Sequence, residues 1–173
     1  LLFISSCYAI TLPDEVIDME LSAKGQQFIA NWEGTKRNAD GLHIPYKCPA
    51  GKWTLGYGEV ITSAQVEQFK AGITDDYAAL RFKNKLKPFV DAINKAIKVP
   101  VSQNQFDMLV SIAYNNGSAA IAGSTLMRLL NKKDYKGAGE QFLKWCHIGK
   151  DVCEGLLRRR KAERLIFNTE DKQ

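Results

Sequence analysis

At 173 residues, 45% hydrophobic and 25% charged, the chain suits one globular domain of at most two lobes. It is long enough to bury a core without a metal or a disulfide. Its net charge of +5 favours polyanions such as acidic cell-wall polymers, anionic lipid or nucleic acid. No RNA-binding or zinc-finger signature accompanies the charge, so nucleic acid is not expected; a plain solvated basic surface is the simpler alternative.

The opening "LLFISSCYA" is apolar, then small, and gives way to the acidic "TLPDEVIDME". Residues 1–9 read as the end of an export segment, and residues 1–20 as a leader ahead of a domain at 21–170. Three fates fit: cleavage after Ala9, lipidation of Cys7 in the lipobox-like Ile4–Cys7, or a weak anchor giving transient membrane association. A buried strand or a disordered tail is the bland alternative. No later segment approaches the length of a membrane span.

Apolar residues then recur at helical spacing from Leu21 to Trp32 with Ser22 as cap, and Glu33 and Gly34 close the helix. "TKRNADGLHIP" is polar and turn-rich, and "YKCPAGKWTLGYG" (Tyr46–Gly58) alternates around Pro-Ala-Gly as a hairpin should. Helices are expected from Thr62 to Gly72, from Thr74-Asp75-Asp76 towards Val99 with a bend at Pro88, and from Ser102 through Tyr114 to a stop at Asn116-Gly117. Further helices fit Ser124–Leu130, Asp134–Trp145 and Leu156–Phe167. The class is α+β: a small lobe with one helix and a hairpin, then a larger helical lobe.

Four cysteines (Cys7, Cys48, Cys146, Cys153) and two histidines (His43, His147) make no zinc spacing, so neither metal nor cofactor is expected. Cys146 and Cys153 flank the short loop "HIGKDV". Their separation permits a disulfide, which an oxidising compartment would favour, and two unpaired thiols are the alternative.

Glu33 ends an amphipathic helix beside Trp32. A carboxyl desolvated against an aromatic wall has a raised pKa and suits a general acid, although most helix-end glutamates are merely solvated. Thr54 adds a hydroxyl on the hairpin, six residues after Cys48. An acid, a second polar group and a water-holding hydroxyl across a cleft suit glycosidic hydrolysis, but the spacing alone does not establish it.

Four motifs in order, Glu33, Tyr46–Gly58, "SQNQFDMLVSIAYNNG" and "GLLRRRKAER", give the chain from Leu21 to Phe167 a pattern that resembles the phage-type lysozymes of glycoside hydrolase family 24. The resemblance implies a lysozyme-like fold and a monomeric muramidase that cleaves the β-1,4 bond between N-acetylmuramic acid and N-acetylglucosamine, usually with inversion, acting in the periplasm or outside the cell. It makes Glu33 the general acid and Thr54 the hairpin hydroxyl. It puts Cys48 where the family usually has Asp, although some signal-anchor-release members carry cysteine there and are active. It further implies sugar contacts at Val60, Tyr114, Asn115, Thr125 and Gln141, each of which has core packing or capping as its plain alternative. Arg159 falls at a position near the acid, and its neighbouring arginines read as a solvated basic face.

Three departures stand out. The loop between Glu33 and Cys48 is longer than usual, Glu59-Val60 follows "GYG" where a structural histidine is common, and the Asp is Cys48. Asp40 reads as a turn residue before Gly41, not a displaced carboxylate. Cys48 leaves two rivals open: a non-catalytic cell-wall-binding protein on the same scaffold, and a redox-sensing or inhibitor-binding protein for which Cys7 and Cys48 are the functional pair. A Cys7–Cys48 disulfide would fill the water site and gate the enzyme.

Overall fold

The computed structural model describes residues 18–170, in which eight α-helices join two small antiparallel sheets in the expected α+β arrangement. The readings placed on residues 1–9, including the fate of Cys7, lie outside the described residues. Among the described residues no helix is long and apolar enough to cross a membrane.

Helix α1 (Ala23–Asn31) starts where Ser22 accepts a hydrogen bond from Gly25 N at 3.0 Å, and its inner face places Ile29 and Ala30 in the core. Its first turn is anchored on α4 (Gln103–Asn116): the Ser22 amide donates to Asp107 Oδ1 at 3.1 Å, and the Ser22 hydroxyl donates to Asp107 Oδ2. The anchor leaves no room at Gly25, where an added Cβ would sit 2.4 Å from Asp107 Cγ. An exposed Gly→Ala change in a helix gains about 0.5–1 kcal/mol. Overpacking against Asp107 costs roughly 1–3 kcal/mol and should win. Gly25→Ala is therefore expected to lower the urea midpoint; an unchanged or higher midpoint would show that Asp107 yields freely.

The long loop after Gly34 is pinned by His43. Its backbone exchanges two 2.9 Å hydrogen bonds with Ile73, and its fully buried imidazole sits 2.6 Å from Thr35 Oγ1 and 2.8 Å from Asp75 Oδ1. Tyr57 packs edge-on against the same ring. Asp40 lies exposed in the Asn38–Gly41 turn, closed by a 3.1 Å bond from Gly41 N to Asn38 O.

The hairpin gains a third strand: β1 (Tyr46–Lys47), β2 (Trp53–Leu55) and β3 (Glu59–Val60) lie in that order, with Thr54 opposite both Tyr46 and Val60. Glu59, in the histidine position, forms a two-point pair with Arg81, Oε2 to Nε at 2.7 Å and Oε1 to Nη2 at 2.6 Å. Thr62 opens α2 (Ser63–Gln68) with a full capping box, so both the first N–H groups and the cap amide find partners.

Helix α3 (Asp75–Ala96), capped by Thr74, runs unbroken with Pro88 inside it and joins the two lobes. Ala78 packs in the small core with Leu55, Ile61, Phe69 and Ile73, whereas Phe82, Leu86, Val90 and Ile93 belong to the large one. The large core surrounds α4, whose Phe106, Leu109, Val110 and Ile112 are fully buried. Helix α4 stops at Gly117, which leads at φ +91° into the short α5 (Ser118–Ala122). Helix α6 (Thr125–Leu130) follows, then α7 (Tyr135–Gln141), which tightens into a 3-10 turn at Phe142–Lys144 where one helix was expected through Trp145. A second hairpin, β4 (His147–Ile148) and β5 (Asp151–Val152), occupies the expected loop before α8 (Glu154–Phe167).

Candidate active site

Glu33 leaves the end of α1 in a last-turn conformation, its amide donating to Ala30 O at 3.0 Å. The side chain, 21% exposed, points to the junction of the lobes, where Arg159 Nη1 of α8 lies 3.7 Å from Oε1. Burial pushes the carboxyl above its ordinary value, and the nearby Arg159 and Lys85 cations offset only part of that. Trp32, the expected wall, is 38% exposed and instead lies under the Arg159 guanidinium, 5.9 Å from its ring centroid. The space around Glu33 is closed by the Gly58 main chain and by Lys85 and Tyr114. A Cβ on Gly58, whose φ is +74°, would lie 3.1 Å from Glu33 Oε2, 3.6 Å from Lys85 Nζ and 4.0 Å from the Tyr114 hydroxyl.

Arg159 is itself held from behind. Its Nε donates to Glu163 Oε1 at 3.2 Å and its Nη2 to Ser111 Oγ at 3.4 Å, while the Ser111 hydroxyl donates to the same Glu163 oxygen at 2.7 Å. Arg160 corrects the solvated-face reading: it is wholly buried, with Nη2 2.9 Å from Glu163 Oε1 and 3.1 Å from Asn115 Oδ1. Burial draws its pKa down to about 10 and pushes the Glu163 carboxyl up. One buried carboxylate thus positions two arginines, one facing Glu33 and one gripping Asn115.

Cys48 begins the turn that links β1 to β2. Cys48 N donates to Lys52 O at 3.0 Å and Gly51 N to Cys48 O at 2.8 Å, with Gly51 at φ +76°. The Lys52 N–H does most to hold the thiol below its ordinary value; Ala50 N–H and the Thr54 hydroxyl add to it, against a smaller opposing effect of desolvation. Thr54 is 3% exposed, and its hydroxyl donates to Lys52 O at 3.2 Å. Tyr46 ties the hairpin to the acid, its phenol donating to Gly34 O at 2.7 Å. That phenol is pushed up chiefly by burial and further by Cys48 and Glu33 together, so both groups face it.

The predicted sugar contacts divide. Val60 is 61% exposed and pairs with Thr54 across β2–β3; Tyr114 joins the Lys85 cluster; Asn115 is exposed apart from its bond to Arg160. Thr125 and Gln141 share an open groove with Lys144 and Trp145, whose lining includes none of Glu33, Cys48 and Thr54.

Cys48, Cys146 and Cys153 are free thiols. Cys146 and Cys153 flank the β4–β5 ladder, joined by a 2.8 Å bond from Cys153 N to Cys146 O, but Cys146 Sγ turns away to donate to Leu143 O at 3.1 Å. The disulfide expectation is corrected to the unpaired alternative. The other half of the proposed Cys7–Cys48 gate lies outside the described residues.

Sequence reasoning missed Lys85, Glu163 and Ser111. Lys85 had a signal: it falls three residues after Phe82 and four before Phe89, on the border of the apolar stripe of α3, whereas Lys83 and Lys87 are exposed.

The Phage lysozyme family's sequence model matches residues 30–163. An endolysin of Acyrthosiphon pisum secondary endosymbiont phage 1 is 37% identical over 163 residues, covering 87% of this chain and 99% of its own. A SAR-endolysin of Enterobacteria phage P21 is 35% identical over 131 residues, covering 73% and 78%. The crystal structure of a P22 lysozyme mutant superposes with a TM-score of 0.73 at 33% identity, covering 87% of this chain and 99% of that one.

Proposed function

The chain belongs to the phage lysozyme family of glycoside hydrolases, and from that premise we propose that Glu33, Cys48 and Thr54 hydrolyse the β-1,4 bond between N-acetylmuramic acid and N-acetylglucosamine in peptidoglycan. The observation that carries the assignment is the placement of Glu33, largely buried past the end of α1 with Arg159 Nη1 3.7 Å from its carboxyl; there burial favours the neutral acid, while N–H donors favour the anion at Cys48.

In this reading the Glu33 carboxyl donates its proton to the glycosidic oxygen as the C1–O bond breaks. The resulting carboxylate is met by Arg159 and Lys85. A water held between the Cys48 thiolate and the Thr54 hydroxyl attacks C1 from the opposite face and gives its proton to the thiolate. Attack from that face inverts the anomeric centre. Val60, Tyr114, Asn115, Thr125 and Gln141 bind the flanking sugars. The substrate lies outside the cytoplasmic membrane, so the protein acts as an exported monomer in the periplasm or beyond. Residues 1–20 serve as its leader or anchor and 21–170 as the lysozyme domain.

Mass spectrometry of peptidoglycan digested by the purified protein should show soluble muropeptides with new N-acetylmuramic acid reducing ends. NMR during the digest should show the α-anomer first. Muropeptide release with the β-anomer first would overturn inversion, and binding to the wall without release would favour a non-catalytic wall-binding scaffold.

A further inference from the structure

We propose that Lys85 is a positioning residue of this reaction, tying three elements together behind the acid and setting a fixed positive charge against the carboxylate that proton transfer creates. The proposal rests on Glu33 being that acid. From α3, the ammonium donates to Gly58 O at 2.7 Å and to the Tyr114 hydroxyl at 2.7 Å, and also sits over the Tyr114 ring, 5.1 Å from its centroid. The turn between β2 and β3, the long interlobe helix and the end of α4 therefore meet at one nitrogen. The Gly58 geometry places that nitrogen, Glu33 Oε2 and the Tyr114 hydroxyl around one spot.

The choice of lysine here is costly on structural grounds alone. Both of these hydrogen-bond acceptors are neutral, and among the described residues no carboxylate bonds to it directly. Burial works against its charge, and the attraction of Glu33, then Glu59, works for it. A methionine would fill the same space without that cost. What methionine cannot supply is a cation facing Glu33. Such a cation strengthens the acid and stabilises the carboxylate left when the proton has gone.

The groups facing Glu33 are Arg159 from α8, Lys85 from α3, Tyr114 from α4 and Tyr46 from β1; those facing Lys85 are Glu33 and Glu59. With Lys85 neutralised, only Arg159 among these opposes protonation of Glu33. Glu33 should then keep its proton to higher pH while becoming a weaker donor.

The test uses Lys85→Met and Lys85→Arg in the full chain, with two readouts: the pH-dependence of muropeptide release, and the Glu33 carboxyl titrated by carbon-13 NMR without substrate. Lys85→Met should raise the Glu33 midpoint by roughly half to one pH unit, carry the alkaline limb of the rate profile with it, and lower the plateau rate several-fold. Lys85→Arg should return the midpoint and the limb towards the parent, because it restores the charge. An unmoved Glu33 midpoint in folded Lys85→Met overturns the proposal, whatever the rate does. If Lys85→Met does not fold, the arginine variant decides, and its midpoint must stay with the parent or the proposal fails. A midpoint that moves while the rate limb stays removes Glu33 from the acid role, and the assignment of Lys85 to the reaction falls with it.

Discussion

Glu33→Gln is expected to reduce peptidoglycan hydrolysis by about two to four orders of magnitude, the usual contribution of a positioned general acid. The amide keeps the shape of the side chain and its packing against Gly58, and removes only the transferable proton. The same change should not weaken the fold. Folding holds the Glu33 carboxyl above its ordinary value, so it favours the neutral form. That contribution is complete at pH below the ordinary carboxylate value and is lost as pH rises through the folded-state value. Wherever the pH lies above its folded-state value, the ionised carboxylate therefore costs stability that an amide does not, despite the attraction of Arg159. Glu33→Gln should melt at the parent's temperature or above it at pH 7, with the difference shrinking towards about pH 4. Lysis near the parent's rate would remove Glu33 from the acid role. A lower Tm at pH 7 would show that the pairing with Arg159 outweighs desolvation.

Much of the fold was legible because it is written in local chemistry. Ser22, Thr62, Thr74, Ser102 and Ser124 each cap the helix expected after them, and each side chain accepts from the backbone N–H three residues on. Where local signals were weak, the elements were missed. Helix α5 is five small and apolar residues opened by Gly117 with no side-chain cap, and β4–β5 is two residues on each side of a Gly149-Lys150 turn, with Gly149 at φ +61°. Neither is long enough to show a period. The site divides in the same way. Glu33, Cys48 and Thr54 lie in or beside motifs whose order and register place them. Ser111 and Glu163 also lie inside quoted motifs, but motif register does not reveal their part: Ser111 is one polar residue in an apolar run, and Lys85 and Glu163 belong to helices whose charge reads as surface until tertiary packing turns them inward. Arg160 shows the limit most plainly: "GLLRRRKAER" looks like a basic face, and the last of its three consecutive arginines has no exposed surface at all.

Cys48 carries the prediction with the most distinctive signature, because a thiol and a carboxylate become anions in different pH ranges. If the Cys48 anion holds and deprotonates the attacking water, the acid limb of the rate profile must follow its titration, as the alkaline limb follows Glu33. The thiol is held below its ordinary value by the Lys52 and Ala50 N–H groups and the Thr54 hydroxyl, and those donors remain for any anion placed there. Cys48→Asp should then preserve or raise activity and move the acid limb down towards the ordinary carboxylate range, about pH 4. The alkaline limb should stay where it is, since Glu33 and its cations are untouched. Cys48→Ala should lose about two orders of magnitude or more, because Thr54 alone can hold the water but cannot take its proton. Cys48→Ser separates the two duties: it restores a hydroxyl of similar size that stays neutral across the working range, so it should resemble the alanine variant. Alkylation of the parent should abolish lysis by filling the water site, while Cys48→Asp resists the same reagent unless Cys7, Cys146 or Cys153 reacts. A parent-like rate in Cys48→Ala, or an acid limb that stays put in Cys48→Asp, would make Cys48 a bystander. The water would then have to be activated without it, with Thr54 the only other proposed water ligand.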